Sequence, residues 1–294
     1  MLQQTRAAAV IPYYQKFLER FPDVDALAAA SQTGVLACWS GLGYYSRARS
    51  LHAAARSIVQ LGGFPAEYQT IRQLPGIGPY TAAAIASIAF NGPHAAVDGN
   101  VMRVIARIRN DSGDIGSAVT RARFQQAADE LLDRQNPGEF NQAMMELGAT
   151  VCVTRSPQCL LCPVSQECAA RAVGVQSQLP VKLRRTVPAF IESTLAMVER
   201  RGTLLLWLRP PDSRRMAGFW ELPLQDELPG FTPQAALGAF RHSITHHRYR
   251  FTVLRGTVGR KPAGFQWIPL EQLPSLPLST ITKKALRLRP VHTH

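Results

Sequence analysis

Leu74-Pro75-Gly76-Ile77-Gly78-Pro79-Tyr80-Thr81-Ala82 is the stretch on which the reading of this chain turns. Two glycines follow a proline, and a second proline stands where a helix would begin. Glycine lets the backbone turn tightly and come close to a ligand, and proline suits the first position of a helix. The segment therefore reads as a tight turn between two helices. The second helix presents its first-turn N–H groups and the positive end of its dipole, a site made for a phosphate oxygen. Gly76, Gly78 and Thr81 are the residues placed for that contact. Glycine turns between helices are common, so the stretch has to be read with its surroundings.

Those surroundings are helical. Val10 to Phe21, Leu27 to Trp39, Leu51 to Leu61, Thr81 to Phe90, Val101 to Ile108 and Arg123 to Leu132 carry apolar residues at helical spacing, with Gly41-Leu42-Gly43 and Gly62-Gly63 as breaks. Residues 1–170 are expected to form an all-α domain. The texture then changes. Residues 171–188 form a polar, basic linker containing Gln176-Ser177-Gln178-Leu179-Pro180. From 189 to 290, β-like runs at 191–198, 203–208 and 249–256 alternate with Pro and Gly, and 233–240 reads as a helix among them. The second half is expected to be α+β.

Composition narrows the partner. The 294 residues are 46% hydrophobic and 18% charged, too apolar for disorder, and hold no apolar run of ~18 residues that would span a membrane. The opening Met1-Leu2-Gln3-Gln4-Thr5-Arg6 does not resemble a signal peptide. A soluble, cytoplasmic monomer is the expectation. Lys and Arg outnumber Asp and Glu by 33 to 20, and nearly all of the excess lies after residue 170, where the net charge is +12. Such a balance points to a polyanion, nucleic acid above all, rather than to solubility alone.

Four of the five cysteines, Cys152, Cys159, Cys162 and Cys168, fall in one short segment as C-x6-C-x2-C-x5-C. Four thiolates in a loop suit a soft metal centre, either zinc or an iron–sulfur cluster. Disulfides are the alternative, disfavoured in a cytosolic chain. Zinc competes, although its sites usually pair one C-x2-C with another and only one occurs here. Cys38 stands apart and reads as a small buried apolar residue.

The cysteine spacing resembles the [4Fe–4S] loop (152–168) of the endonuclease III family of DNA glycosylases. The L-P-G-x-G-x-x-T-A frame, followed twenty residues on by Val97-Asp98-Gly99-Asn100-Val101, is similar to the helix-hairpin-helix and catalytic aspartate of the same superfamily. Bifunctional members carry a lysine at the position of Tyr80, whose amine forms a Schiff base. Tyrosine forms no imine, so the resemblance implies a glycosylase without that lyase step. Tyr80, the run Gly41 to Arg49, the opening Met1 to Thr5 and the run Phe140 to Gly148 together resemble the MutY-type adenine DNA glycosylases over nearly the whole chain.

That resemblance implies a base-excision repair enzyme acting on double-stranded DNA with adenine mispaired with 8-oxoguanine or guanine, and an iron–sulfur cluster on the four cysteines. The adenine is flipped from the stack, with Gln4 and Tyr44 as wedges and Gln142 against the flipped base, where the family often has glutamate. Asp98 would shelter the oxocarbenium character of the sugar, with Asn100 holding it and Tyr80 beside it. Plainer roles stand next to these: a helix N-cap for Asp98, packing for Tyr44, a solvated helix position for Gln142. The family's general acid for adenine N7 is a glutamate two residues before the methionine of the M-L-Q-Q-T run, here Met1. The expectation is that the true start lies upstream and supplies this glutamate, so that the 294 residues by themselves show little or no excision; a shortened, catalytically silent binder of mismatched DNA is the alternative. A thymine or oxidised-pyrimidine glycosylase of the same superfamily is a third reading.

In the second half, Met216 to Pro223 resembles the G-x-W-E-x-P stretch of Nudix-like domains. Only Asp226 and Glu227 follow in 224–238, without the glutamate array that holds magnesium. The expectation is a fold kept for inspecting 8-oxoguanine. Phe240 to Arg248 aligns with the family's reading loop, Thr245 supplying a hydroxyl able to accept from N7–H and His246 an imidazole. A metal site on His242, His246 and His247 is the alternative, with no carboxylate or cysteine nearby to complete it.

Overall fold

A computed structural model describes residues 1–2, 5, 7–183, 189–210, 212–213, 216–244 and 247–289. The contacts gather into two units, one of residues 60–185 and one that combines 1–59 with 186–294.

Residues 60–185 are helical. Helices α5 (Tyr68–Gln73), α6 (Pro79–Phe90), α7 (Gly99–Ile108), α8 (Ala118–Leu131), α9 (Pro137–Glu146) and α10 (Ala169–Ala172) follow in order. The α5–α6 turn is the expected hairpin: Leu74 ends the first helix, Ile77 N–H donates to Leu74 O at 3.1 Å, and Gly78 caps the second. Alanines 82 and 86 let α6 sit close to Ile71. Val101, Ile105 and Ala106 of α7 pack on Phe124 and Ala128 of α8. Asn141 on α9 is buried and ties the loop before α7: its Nδ2 donates to Ser87 Oγ and His94 O, and its Oδ1 accepts from Ala96 N–H. A five-residue π-helical turn, Leu147–Val151, leads from α9 into the first clustered cysteine.

The other unit joins the two ends of the chain. Helices α1 (Ala7–Arg20), α2 (Val24–Ala29), α3 (Gln32–Trp39) and α4 (Tyr45–Gln60) bury Phe17, Phe21, Trp39 and Cys38. Residues 27–39 are not one helix. Ala30 adopts extended backbone and Ser31 accepts from Gly34 N–H, because a serine hydroxyl offers the chain a local partner that starts a new helix.

Among the described residues six strands follow: β1 (Ala189–Arg200), β2 (Thr203–Leu208), β3 (Trp220–Glu221), β4 (Phe231–Ile244), β5 (His247–Val258) and β6 (Phe265–Pro269), then α11 (Thr280–Leu286). They form one mixed sheet in the order β3-β2-β1-β5-β4, with β6 on β2; β1 and β5 run parallel and the other pairs antiparallel. The α+β expectation holds, with one correction. Residues 233–240 lie inside strand β4, not in a helix. Pro233 and Gly238 are poor helix-interior residues, and pairing with β5 absorbs them through two irregularities, between Pro233 and Ala235 and between Ala236 and Gly238. One sheet face buries Leu195, Met197, Phe251 and Val253 against Ala285 of α11. Among the described residues no helix is long and apolar enough to cross a membrane.

Candidate functional site

Asp98 is the N-cap of α7. Its Oδ1 accepts from Asn100 N–H and Val101 N–H, both at 2.8 Å, and its Oδ2 accepts from Asn100 Nδ2 at 3.2 Å. Capping and chemistry are therefore not exclusive: the helix end fixes one oxygen and an amide steadies the other. The carboxylate remains half-buried. Tyr80, on the first turn of α6, donates through its hydroxyl to Met145 Sδ at 3.2 Å. Burial, and then the charge of Asp98, push its phenol above the ordinary value. Helices α6, α7 and α9 thus bring Tyr80, Asp98 and Asn100 to one place.

Two arginines that sequence reasoning passed over continue the chain of bonds. Arg103 Nη2 donates to Asn100 Oδ1 at 2.9 Å and Gly148 O at 2.6 Å, and its Nε donates to Cys152 O at 2.7 Å. Arg107, four residues on, is 2% exposed and donates to the carbonyls of Leu179, Cys152 and Val153, and to Cys152 Sγ at 3.2 Å. Their signal in the sequence was a pair of arginines at i, i+4 in the otherwise apolar Val101 to Ile108. The network runs unbroken from the carboxylate oxygen to the first clustered sulfur.

Cys152, Cys159, Cys162 and Cys168 line one cavity together with Arg107, Ser165 and Arg171. None is disulfide-bonded. Burial, and then the charges of the other three sulfurs, push the Cys162 thiol up, although a backbone N–H at Val164 opposes this. A cationic centre bound by all four would relieve that crowding, so the donor set fits a soft metal group. Among the described residues no three His, Cys, Asp or Glu side chains meet closely enough to hold a single ion.

The hairpin separates the roles of its glycines. Gly76 has φ +77°, a conformation that favours glycine. Gly78 has an ordinary φ of −90°, caps α6 without a side chain, and has open space where a Cβ would stand. The first conforms; the second leaves the helix end accessible to a phosphate. Thr81 follows in the first turn.

Tyr44 also departs from ordinary packing. Its φ is +50°, the residue is 46% exposed, and the Arg47 guanidinium lies 4.0 Å from the ring centroid. A bulky residue in the left-handed region costs of the order of 1–3 kcal/mol and collects at functional sites. Gln142 is exposed on α9 and donates to Gly138 O of its own helix, as a solvated position would. Gln4, Thr245 and His246 lie outside the described residues; the strand residues next to the last two, Ile244 and His247, pair with each other.

Residues 1–130 match the family described as HhH-GPD superfamily base excision DNA repair protein. The mouse adenine DNA glycosylase is 35% identical over 363 aligned residues, which take in 99% of this chain and 70% of that protein. The human one is 35% identical, with 98% and 66% covered. Among solved structures, a thermostable thymine-DNA glycosylase aligns with a TM-score of 0.51 at 27% identity, covering 58% of this chain and 80% of its own. An endonuclease III in a non-covalent DNA complex gives 0.50 at 22%, covering 59% and 80%, a likeness of fold. With this match along almost its whole length, the chain belongs to the adenine DNA glycosylases, base-excision repair enzymes of the helix-hairpin-helix superfamily.

Proposed function

We propose that the chain removes adenine paired with 8-oxoguanine or guanine in duplex DNA, hydrolysing the N-glycosidic bond without cleaving the strand. The observation that carries this is the setting of Asp98, a carboxylate fixed by the start of α7 and by Asn100 with Tyr80 beside it. As the bond to adenine lengthens, positive charge grows on the deoxyribose. A carboxylate already held in place stabilises that charge without reorganising. Tyr80 offers no amine for an imine. Gly76, Gly78 and Thr81 grip a backbone phosphate, Tyr44 and Gln4 fill the gap left by the flipped base, and Gln142 meets the adenine. Residues 1–170 are the catalytic domain, 171–188 the linker and 189–290 a Nudix-like domain that reads 8-oxoguanine through Thr245 and His246. The four cysteines would hold a [4Fe–4S] cluster, and Arg103, bonded to Cys152 O and to Asn100 Oδ1, links that segment to the Asp98 site. The protein acts as a cytoplasmic monomer. The adenine DNA glycosylase relatives favour neither a silent binder nor a pyrimidine glycosylase.

The test is product analysis on defined duplexes. Free adenine should appear from A:8-oxoguanine and A:G, nothing from T:G or an oxidised pyrimidine, and borohydride should trap no covalent complex. Release of thymine, or a trapped complex, would overturn the reading.

A further inference from the structure

Strands β1, β5 and β4 alternate residues between two faces, and the two faces meet different fates. Tyr249, Phe251 and Phe240 point to the side packed by α11, and the register sets Ile191 beside Tyr249 on that side. On the other side the register sets Phe190 beside Arg248 and Ser243, and Glu192 beside Arg250 and Arg241. All six are exposed. Farther along, the same face is buried by Leu228 and Phe265 against Ala196 and Val198. Toward the Ile244–His247 end these six, with parts of Ile191 and Tyr249 between them, line an open groove of about 570 Å³.

Three guanidinium groups therefore stand on an open patch of sheet against one carboxylate. Arg248 leans over the Phe190 ring at 5.5 Å, and Arg250 lies 3.5 Å from Glu192, both of them exposed. Among the described residues Arg241 pairs with no carboxylate; its cross-strand neighbour is Arg250, which takes Glu192. Like charges set directly opposite destabilise a sheet, and exposed Arg–Glu pairs contribute little to offset that. An arrangement that costs the fold stability fits an external anion better than it fits packing. Residues 248 and 250, two apart on one strand, are separated by about 6.7 Å, a step comparable to that between successive phosphates. Guanidinium forks match phosphate oxygens.

We propose that Arg241, Arg248 and Arg250 form a sequence-independent grip on the sugar–phosphate backbone of duplex DNA, with Glu192 limiting its strength. The proposal rests on the adenine glycosylase reading only in taking DNA as the polyanion. The grip acts on any duplex, mispaired or not, and is separate from the hairpin at Gly76 and Gly78.

The experiment measures binding of the full chain to an undamaged, fully paired duplex across a salt series. Each phosphate contact contributes about 0.9 to the slope of log K against log salt. R241Q/R248Q/R250Q should lower the slope by about 2 to 3 and weaken binding roughly 10-fold or more near 0.1 M salt. E192Q should tighten binding, and because it removes no arginine it guards against a triple variant that fails to fold. A slope unchanged in the triple variant, or E192Q binding no tighter, overturns the proposal. A polyglutamate peptide captured by the native chain and lost by the triple variant, with the DNA slope unchanged, overturns it in favour of an acidic protein partner. A lowered slope in a chain that releases no adenine supports the grip and counts only against the excision reading.

Discussion

Asn100 Nδ2 donates to Asp98 Oδ2 at 3.2 Å, while the other carboxylate oxygen is committed to the backbone of α7. One residue thus caps the fold through one oxygen, and the proposed mechanism gives the other to the sugar. Asp98→Asn separates the two duties. Asparagine caps a helix about as well as aspartate, so the urea midpoint should move by less than about 0.5 kcal/mol equivalent. Losing a preorganised electrostatic group costs about 10²–10³ in rate, and single-turnover adenine release should fall by at least that much. A variant that keeps its rate would remove the carboxylate from the mechanism.

Gly148 controls the far side of the same amide. A Cβ built there would stand 2.7 Å from Asn100 Cβ and 3.0 Å from its carbonyl oxygen. The second of these neighbours is backbone and cannot swing aside. Gly148→Ala should destabilise the chain by about 1–3 kcal/mol through overpacking, and its excision rate should drop more than its affinity for a mispaired duplex. Rates and affinities that fall together would show a general loss of fold.

Much of this is legible in the sequence itself. The hairpin at residues 74–82, the cap at Asp98 and the clustered cysteines are local in sequence, and each is set by a few residue types at short spacing. The 233–240 stretch reads as a helix because three alanines and a leucine favour one, and only its pairing with β5, distant in the chain, makes it a strand. Residues 27–39 read as one helix because apolar spacing does not register a serine hydroxyl that restarts a helix. Arg103, Arg107 and Asn141 escaped for a third reason: each bonds mainly to backbone carbonyls or amides far along the chain, and such partners leave no trace in side-chain patterns.

Arg107 makes the cysteine segment testable. Removing its guanidinium leaves the carbonyls of Leu179 and Val153 without that donor, at about 1–3 kcal/mol for each buried group. Arg107→Leu should destabilise by about 3 kcal/mol or more and lower the iron recovered per chain. Iron assay and urea melts on the same preparation check both. Full iron content with native stability would mean that Cys152 is held by other means.

The alkaline limb of stability follows from Tyr45. Burial, more than any other cause, pushes its phenol above the ordinary value of about 10, and its hydroxyl lies 3.0 Å from Thr280 Oγ1. The unfolded chain ionises this tyrosine near pH 10 while the folded chain resists. The associated stability is therefore fully present below pH 10 and lost as pH rises through the folded value. Urea midpoints between pH 9 and 11 should fall, and Tyr45→Phe should flatten that fall while lowering stability at neutral pH by about 1 kcal/mol for the lost hydrogen bond.

Phe219 ties the sheet-bearing half to the opening helices. It is 0% exposed, packs in the cluster of Phe17, Leu36 and Trp39, and its ring centroid lies 4.1 Å from that of Tyr45. Arg49 adds a bond from α4 to Ala217 O at 3.1 Å. Truncating a fully buried phenylalanine costs about 3–5 kcal/mol, so Phe219→Ala should be among the most damaging single changes in residues 186–294. The partner matters as much as the size. In a double-mutant cycle with Tyr45→Ala the two effects should fall short of additivity by about 0.5–3 kcal/mol, because removing either ring already takes away the shared contact. Strict additivity would mean that the two rings are neighbours without being coupled.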